Sequence, residues 1–338
     1  MTIRHFAIAT LSLALIALPA RAELSGPEVN DSMQNDVSPP LGNSVMRAAV
    51  RPFAAREAPD SLRPKRDQLG AAAAKASPVR SSIPLAGPSA ATVAANQLFS
   101  PPIQGVGNGF PNYYVPDAPT DVNAAVGDTQ VLQWVNVSYA VFDKKTGALL
   151  AGPLDGNRFW AGFGGRCESH NDGDPIVLWD KLAHRWVVSQ NVFNLGFLTC
   201  IAVSQTADAT GAWNRYVFPQ LGGLPDYPKL GVHPDAYFQS QNAFSGGPGG
   251  GRYMGVHVCA YERAKMIAGT RAKQVCFQTG TFDDSLMPAD LDSPRSPTPR
   301  IRADDGDDDD GDGRHTAPEV FLGSIDNFDP SNSNLVYQ

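Results

Sequence analysis

Beyond its first 22 residues the chain has no apolar run near the ~20 residues that a membrane-spanning helix needs. It has no stripe of Lys and Arg, which excludes the electrostatic footprint of a nucleic-acid binder. There is no C-x-x-C pair and no Cys/His cluster, so no zinc-ligand spacing is present. The nucleophile elbow G-x-S-x-G, the Walker loop and H-E-x-x-H are also missing. Aromatic residues are nearly absent from 23–100, where only Phe53 and Phe99 occur. A stretch so poor in large apolar side chains buries too little surface to offset its ordering entropy. Residues 23–104, rich in Ala, Pro and Ser, therefore read as a disordered linker or pro-segment, with Ala91 to Leu98 as one short helical possibility.

What is present begins with a secretory signal. Arg4 and His5 precede an apolar core from Phe6 to Leu18, and Ala20-Arg21-Ala22 is a small-x-small cleavage site, so 1–22 is read as a signal peptide. The expected location is secreted or cell envelope, outside the cytoplasm, with no transmembrane segment once the signal is cleaved. In that oxidising compartment the four cysteines imply two disulfides. Cys167–Cys200 with Cys259–Cys276 is the preferred of three connectivities, because sequence neighbours in an all-β chain tend to be spatial neighbours. The net charge is −7, and seven aspartates lie between Asp304 and Asp312, so the acidity is local.

From 105 to 338 the pattern is all-β. Short apolar runs occur at 131–135, 139–143, 176–179, 185–189, 199–204, 213–218, 236–240, 253–261 and 274–278. Turn chemistry separates them, as in Lys144-Lys145-Thr146-Gly147 and Asp208-Ala209-Thr210-Gly211. Tyr261 to Ala268 reads as a helical turn or two. Unit starts at Gly127-Asp128, Gly173-Asp174 and Asp226 are spaced 46 and 52 residues apart. That period matches β-propeller blades of ~40–50 residues, and a two-sheet sandwich is the alternative. The chain stops at Gln338 inside a strand-like run, so a ring of this size is expected to be incomplete or C-terminally truncated.

The segments Asp121 to Asn136, Ile176 to Gln190, Cys200 to Trp213, Asp226-Tyr227-Pro228-Lys229-Leu230-Gly231 and Leu286 to Leu291 resemble secreted bacterial β-propeller proteins, a largely uncharacterised group that is distantly sialidase-like in fold. The resemblance covers roughly 117–338. It implies a propeller and leaves activity open. The nearest match to the sialidase turn is Asp208-x-x-Gly211-x-Trp213, which has a different spacing, and no arginine triad assembles.

Candidate chemistry sits in three places. Arg166, Glu168, His170, Asn171, Asp172 and Asp174 cluster ahead of a strand, where a histidine among carboxylates suits acid–base work or metal binding, and where a plain Asx-rich turn is the commoner use. Asp226 and Tyr227 are candidate ligand contacts. Asp308, Asp310, Asp312 and Glu319 satisfy the spacing of a calcium loop, in an acidic insertion at 303–318 that composition alone also explains. Ca2+ is thus the one cofactor suggested. Five tryptophans between 134 and 213 serve packing or, where exposed, sugar stacking. Asn136-Val137-Ser138 is a glycosylation sequon. The expected function is binding of an extracellular glycan or surface protein, without a catalytic motif. The alternatives are a sialidase-like glycan hydrolase using 166–174, and an envelope component tethered by its N-terminal segment.

Overall fold

The computed structural model describes residues 24–43, 103–107, 110, 113, 115, 119–194, 196–246, 251–281, 283, 285–291, 319–325 and 334–337. The signal, Ala91–Leu98 and the acidic run 303–318 lie outside these residues.

The described residues fold as antiparallel sheets, and among them none is closed on itself. The first repeat is β3 (Val122–Val126), β4 (Gln130–Val135), β5 (Ser138–Asp143) and β6 (Leu149–Asp155), each strand pairing with the next. The second is β7 (Ile176–Asp180), β8 (Arg185–Val192), β9 (Leu198–Ser204) and β10 (Trp213–Pro219). The third is β11 (Leu224–Val232), β12 (Ala236–Phe244), β13 (Tyr253–Glu262) and β14 (Lys273–Gln278). A fourth sheet holds β15 (Met287–Pro288), β16 (Phe321–Ile325) and β17 (Asn334–Tyr337).

The unbroken apolar runs of the second repeat follow from where it sits. Strands buried on both faces lose the hydrophobic–polar alternation of a half-exposed sheet. One face of the second repeat (Val177, Trp179, Trp186, Val188, Ala202) packs on Leu132, Trp134, Tyr139 and Val141 of the first. Its other face (Ile176, Val187, Ile201, Val203, Phe218) packs on Leu230, Val232, Tyr237 and Tyr261 of the third. The far face of the first repeat is covered by Val106, Phe110, Tyr113 and Val115. The first strands of successive repeats lie side by side: β3 against β7, β7 against β11, β11 against β15.

Turns are set by local side chains. Asp143 Oδ1 accepts the N–H groups of Lys145 and Thr146, and Gly147 follows at φ +71°. Asp180 Oδ1 accepts from Leu182 and Ala183 at 3.0 Å. The Asp180 carboxylate also spans two repeats. It is fully buried, takes Arg263 Nε and Nη2 at 2.8 and 3.0 Å, and accepts from Tyr237 Oη at 2.8 Å. Arg263 opens the short helix Arg263–Ala268, where a helical turn or two was expected. Both disulfides form as expected. Cys167–Cys200 ties the short helix Gly165–Ser169 to β9, and Cys259–Cys276 joins directly opposed residues of β13 and β14. Each contributes about 3 kcal/mol by limiting the unfolded chain.

Two sequence expectations change. The repeats begin at Asp121 rather than Asp128, because β3 starts at Val122; from 121 to 174 is 53 residues and from 174 to 226 is 52. The second change concerns residues read as linker. Within 23–104, β1 (Ser25–Asp31) adds a fifth strand beside β14, and β2 (Gln34–Val37) adds one beside β10. Both are edge strands with mostly exposed side chains, so they leave no apolar signature. Their anchor is electrostatic. Asp36 accepts Arg215 Nε at 2.9 Å and Nη2 at 2.7 Å, while Arg215 Nη1 donates to the carbonyls of Phe159 and Ala161. The Arg215 side chain is only 2 % exposed.

Removing one partner of a buried pair costs about 3–5 kcal/mol, because the other charge stays buried. Asp36→Asn should therefore lower the unfolding free energy by about 3 kcal/mol in urea titration. Asp31→Asn, which only loosens the exposed Asp31–Arg271 pair, should change it by less than about 1 kcal/mol.

Candidate functional site

The structure divides the 166–174 cluster. Arg166 Nη1 donates to the carbonyls of Asn194, at 2.6 Å, and Gly196. Glu168 accepts the N–H groups of Gly162 and Gly164 at 3.0 and 2.7 Å, and those two bonds hold its carboxyl below the usual range. His170 Nδ1 meets Ser169 Oγ at 3.0 Å. Asn171 donates to Val137 O and accepts from Asn157 N. Asp172 Oδ2 accepts from Phe193 N at 2.8 Å. These five side chains shape and cap the loop.

Asp174 points elsewhere. Its Oδ2 accepts the N–H of Tyr227, on β11, at 3.2 Å. One member of the first candidate group thus meets the second, Asp226 and Tyr227. Around Asp174 the carboxylates of Asp226 and Asp121 and the Lys229 ammonium lie within electrostatic reach. Each aspartate stands at or near the start of the first strand of its own repeat. The adjacency of β3, β7 and β11 brings them together.

Burial pushes the Asp174 carboxyl up to about 8, with the negative charges of Asp226 and Asp121 adding to the rise. Burial pulls the Lys229 ammonium down to about 8, opposed by the same three carboxylates. Lys229 Nζ donates to the carbonyl of Pro228 at 3.1 Å and stands over the Tyr227 ring, 2.9 Å from its centroid. Tyr227 itself is 55 % exposed. Three carboxyl groups, one amine and one open aromatic side chain can accept hydroxyl protons, hold or move a proton, and pack against a ring.

The backbone is strained at this end of the strands. Asp121, Asp174, Tyr227 and Ser285 have φ of +35°, +49°, +52° and +49°. All four sit at or near the heads of the first strands of the four sheets. Left-handed geometry is uncommon for residues other than glycine, most of all for a bulky one such as Tyr227, and such strain concentrates at binding and active sites. Ser285 joins the group through Asn242, opposite Asp226 in the β11–β12 register. Asn242 Nδ2 donates to Ser285 Oγ at 3.1 Å, and its Oδ1 accepts from Ser285 N.

Asp121, Lys229 and Ser285 were not singled out as site residues from sequence. A near-constant interval from Asp121 to Asp174 to Asp226 was the available signal, hidden by taking Asp128 as the first start. All five tryptophans are buried, so none is free to stack on a sugar. The sequon Asn136 is buried, with its Nδ2 on Pro119 O at 2.6 Å. Asp308, Asp310 and Asp312 lie outside the described residues. Glu319 is half-buried, with its carboxyl raised to about 7, chiefly by burial. Among the described residues no helix is long and apolar enough to cross a membrane. Among the described residues, the one grouping with metal-ligand proximity is His257 with Cys259 and Cys276, whose sulfurs are committed to a disulfide. No protein family matches the chain, and no curated protein does.

A carboxyl raised in the folded state holds its proton where the unfolded chain has lost it. Folding is then favoured at low pH and loses that advantage as pH rises from about 4 towards 8. Lys229, lowered, acts in the window above 8, where the folded state sheds a proton that the unfolded chain keeps and stability recovers as pH rises further. Asp174→Asn should flatten the decline in unfolding free energy between pH 5 and 8, measured by denaturant titration at each pH. An unchanged slope would show that Asp174 is ionised throughout.

Proposed function

We propose that the protein is a secreted β-propeller that binds an extracellular glycan at the heads of its inner strands. The observation that carries this reading is the convergence of Asp121, Asp174, Asp226, Tyr227 and Lys229 from three successive repeats. The propeller reading draws support from three up-and-down runs of four strands, two of them extended by an N-terminal edge strand, packed on one another in chain order with their first strands adjacent. Secretion draws support from the signal-like leader and the two disulfides.

The chemistry suits a sugar. Carboxylates and an amine supply acceptors and donors for hydroxyl groups, and an exposed tyrosine supplies an amphipathic surface. A surface-protein partner, also expected from sequence, would use the same rim. Glycan-array screening of the secreted protein should find a ligand, and Tyr227→Ala should weaken it at least tenfold with the melting temperature nearly kept. Binding that ignores Tyr227→Ala and Asp226→Asn would move the site elsewhere, and a protein ligand in place of any glycan would favour the partner reading.

One observation favours a second reading, glycan hydrolysis. The raised Asp174 carboxyl beside Asp226 and Asp121 has the proton-holding acid and neighbouring carboxylate that glycoside cleavage uses. On that reading Asp174, rather than His170, is the acid. Asp174→Asn should then abolish turnover of the array's best ligand while leaving its affinity within about threefold.

A further inference from the structure

The interface between the second and third repeats changes character along its length. At one end it is apolar. Towards the strand heads it becomes a layer of buried polar side chains: Asn191, Thr199 and Gln220 on one sheet, Gln239, Gln241 and His257 on the other. Much of the layer is satisfied. Asn191 Nδ2 donates to Gln241 Oε1 at 3.1 Å, and Gln220 Nε2 donates to Thr199 Oγ1 at 2.6 Å.

These bonds fix the tautomer of His257. Gln220 uses its NH2 on Thr199, so its Oε1 accepts, and the bond at 2.9 Å is donated by His257 Nδ1–H. The Nε2 of His257 is then a bare lone pair. Burial, which keeps the imidazole neutral, agrees with that assignment. His257 is 3 % exposed, and its Nε2 has no hydrogen-bond partner.

A second acceptor lies beside it. Gln278 is directly opposite His257 in the β13–β14 register. Its Nε2 donates to Met254 O at 3.1 Å, which leaves Oε1 as an acceptor, also buried and without a partner. Both groups crowd the backbone of Gly222. A Cβ built there would stand 2.7 Å from Gln278 Oε1 and 2.7 Å from Cδ2 of His257, the ring carbon bonded to Nε2. The oxygen and the ring carbon are therefore no farther apart than twice that distance. Gly222 has no left-handed φ to require glycine; the absence of a side chain is what admits these two.

Two acceptors cannot bond each other. A molecule with two donor hydrogens satisfies both, and water is the smallest that carries them. We infer that a structural water is bound beneath the 220–223 loop, donating to His257 Nε2 and Gln278 Oε1 at the edge of the polar layer that joins the second and third repeats.

Crystallography of the full chain to about 1.5 Å should show a water within hydrogen-bond distance of both atoms. Side chains turned to other partners, an empty contact, or a metal cation at the site would overturn the inference. Water-proton magnetic relaxation dispersion gives an independent solution test. Gln278→Leu and Gly222→Ala should each lose one long-lived internal water relative to wild type, with Lys273→Gln, on the exposed side of β14, keeping it. An unchanged count in both variants would refute the site even if either proved less stable.

Discussion

Burial of the second repeat on both faces is the constraint on which the rest depends. β8 and β9 present almost no exposed residue, so this sheet is stable only between two others. Its tryptophans, with Val177 and Val188, require the first repeat on one side, and Val187, Val203, Tyr216 and Phe218 require the third on the other. A fully buried large apolar side chain contributes about 2 kcal/mol, and this sheet supplies many. The order of the stack follows, and with it the adjacency of β3, β7 and β11. The Asp180–Arg263–Tyr237 contact then pins the second repeat to the third with a charge that has no solvent of its own.

Once the first strands are adjacent, their leading residues have to meet. Asp174 receives a backbone hydrogen bond from the third repeat and feels carboxylates from both neighbours. Left-handed residues at the same place in all four sheets show that this rim is held against local backbone preference. The same stacking creates the polar layer below, where Asn191 and Gln241 bond across repeats. The rim and the layer are thus two consequences of one packing arrangement: apolar side chains fill the body of the interface, and polar groups are left at the end nearest the strand heads.

Much of the fold was legible because its signals are local. The run Ile176–Trp179, the return at Arg185, the Asx turns at Asp143 and Asp208 and the helix near 263 follow from neighbouring residues. The N-terminal strands were not legible. β1 and β2 carry exposed side chains and draw their stability from main-chain pairing with β14 and β10 and from the buried Arg215, 179 residues beyond Asp36. Among the site candidates, Arg166, Glu168, His170 and Asp172 bond within or beside their own loop. Asn171 reaches back to Val137 of the first repeat, and Asp174 reaches forward to Tyr227 of the third.

The amino-acid sequence by itself determined strand content and turn positions, because alternation, apolar runs and turn chemistry act over a few residues; among three cysteine connectivities it offered a preference, which the structure matches. Only the tertiary structure decided which aspartates share an environment, that Lys229 and Tyr227 stand beside them, and that residues 25–37 belong to the sheets. Those outcomes depend on stacking between segments some fifty or more residues apart, where a side chain's charge state and partners are set by what burial brings against it.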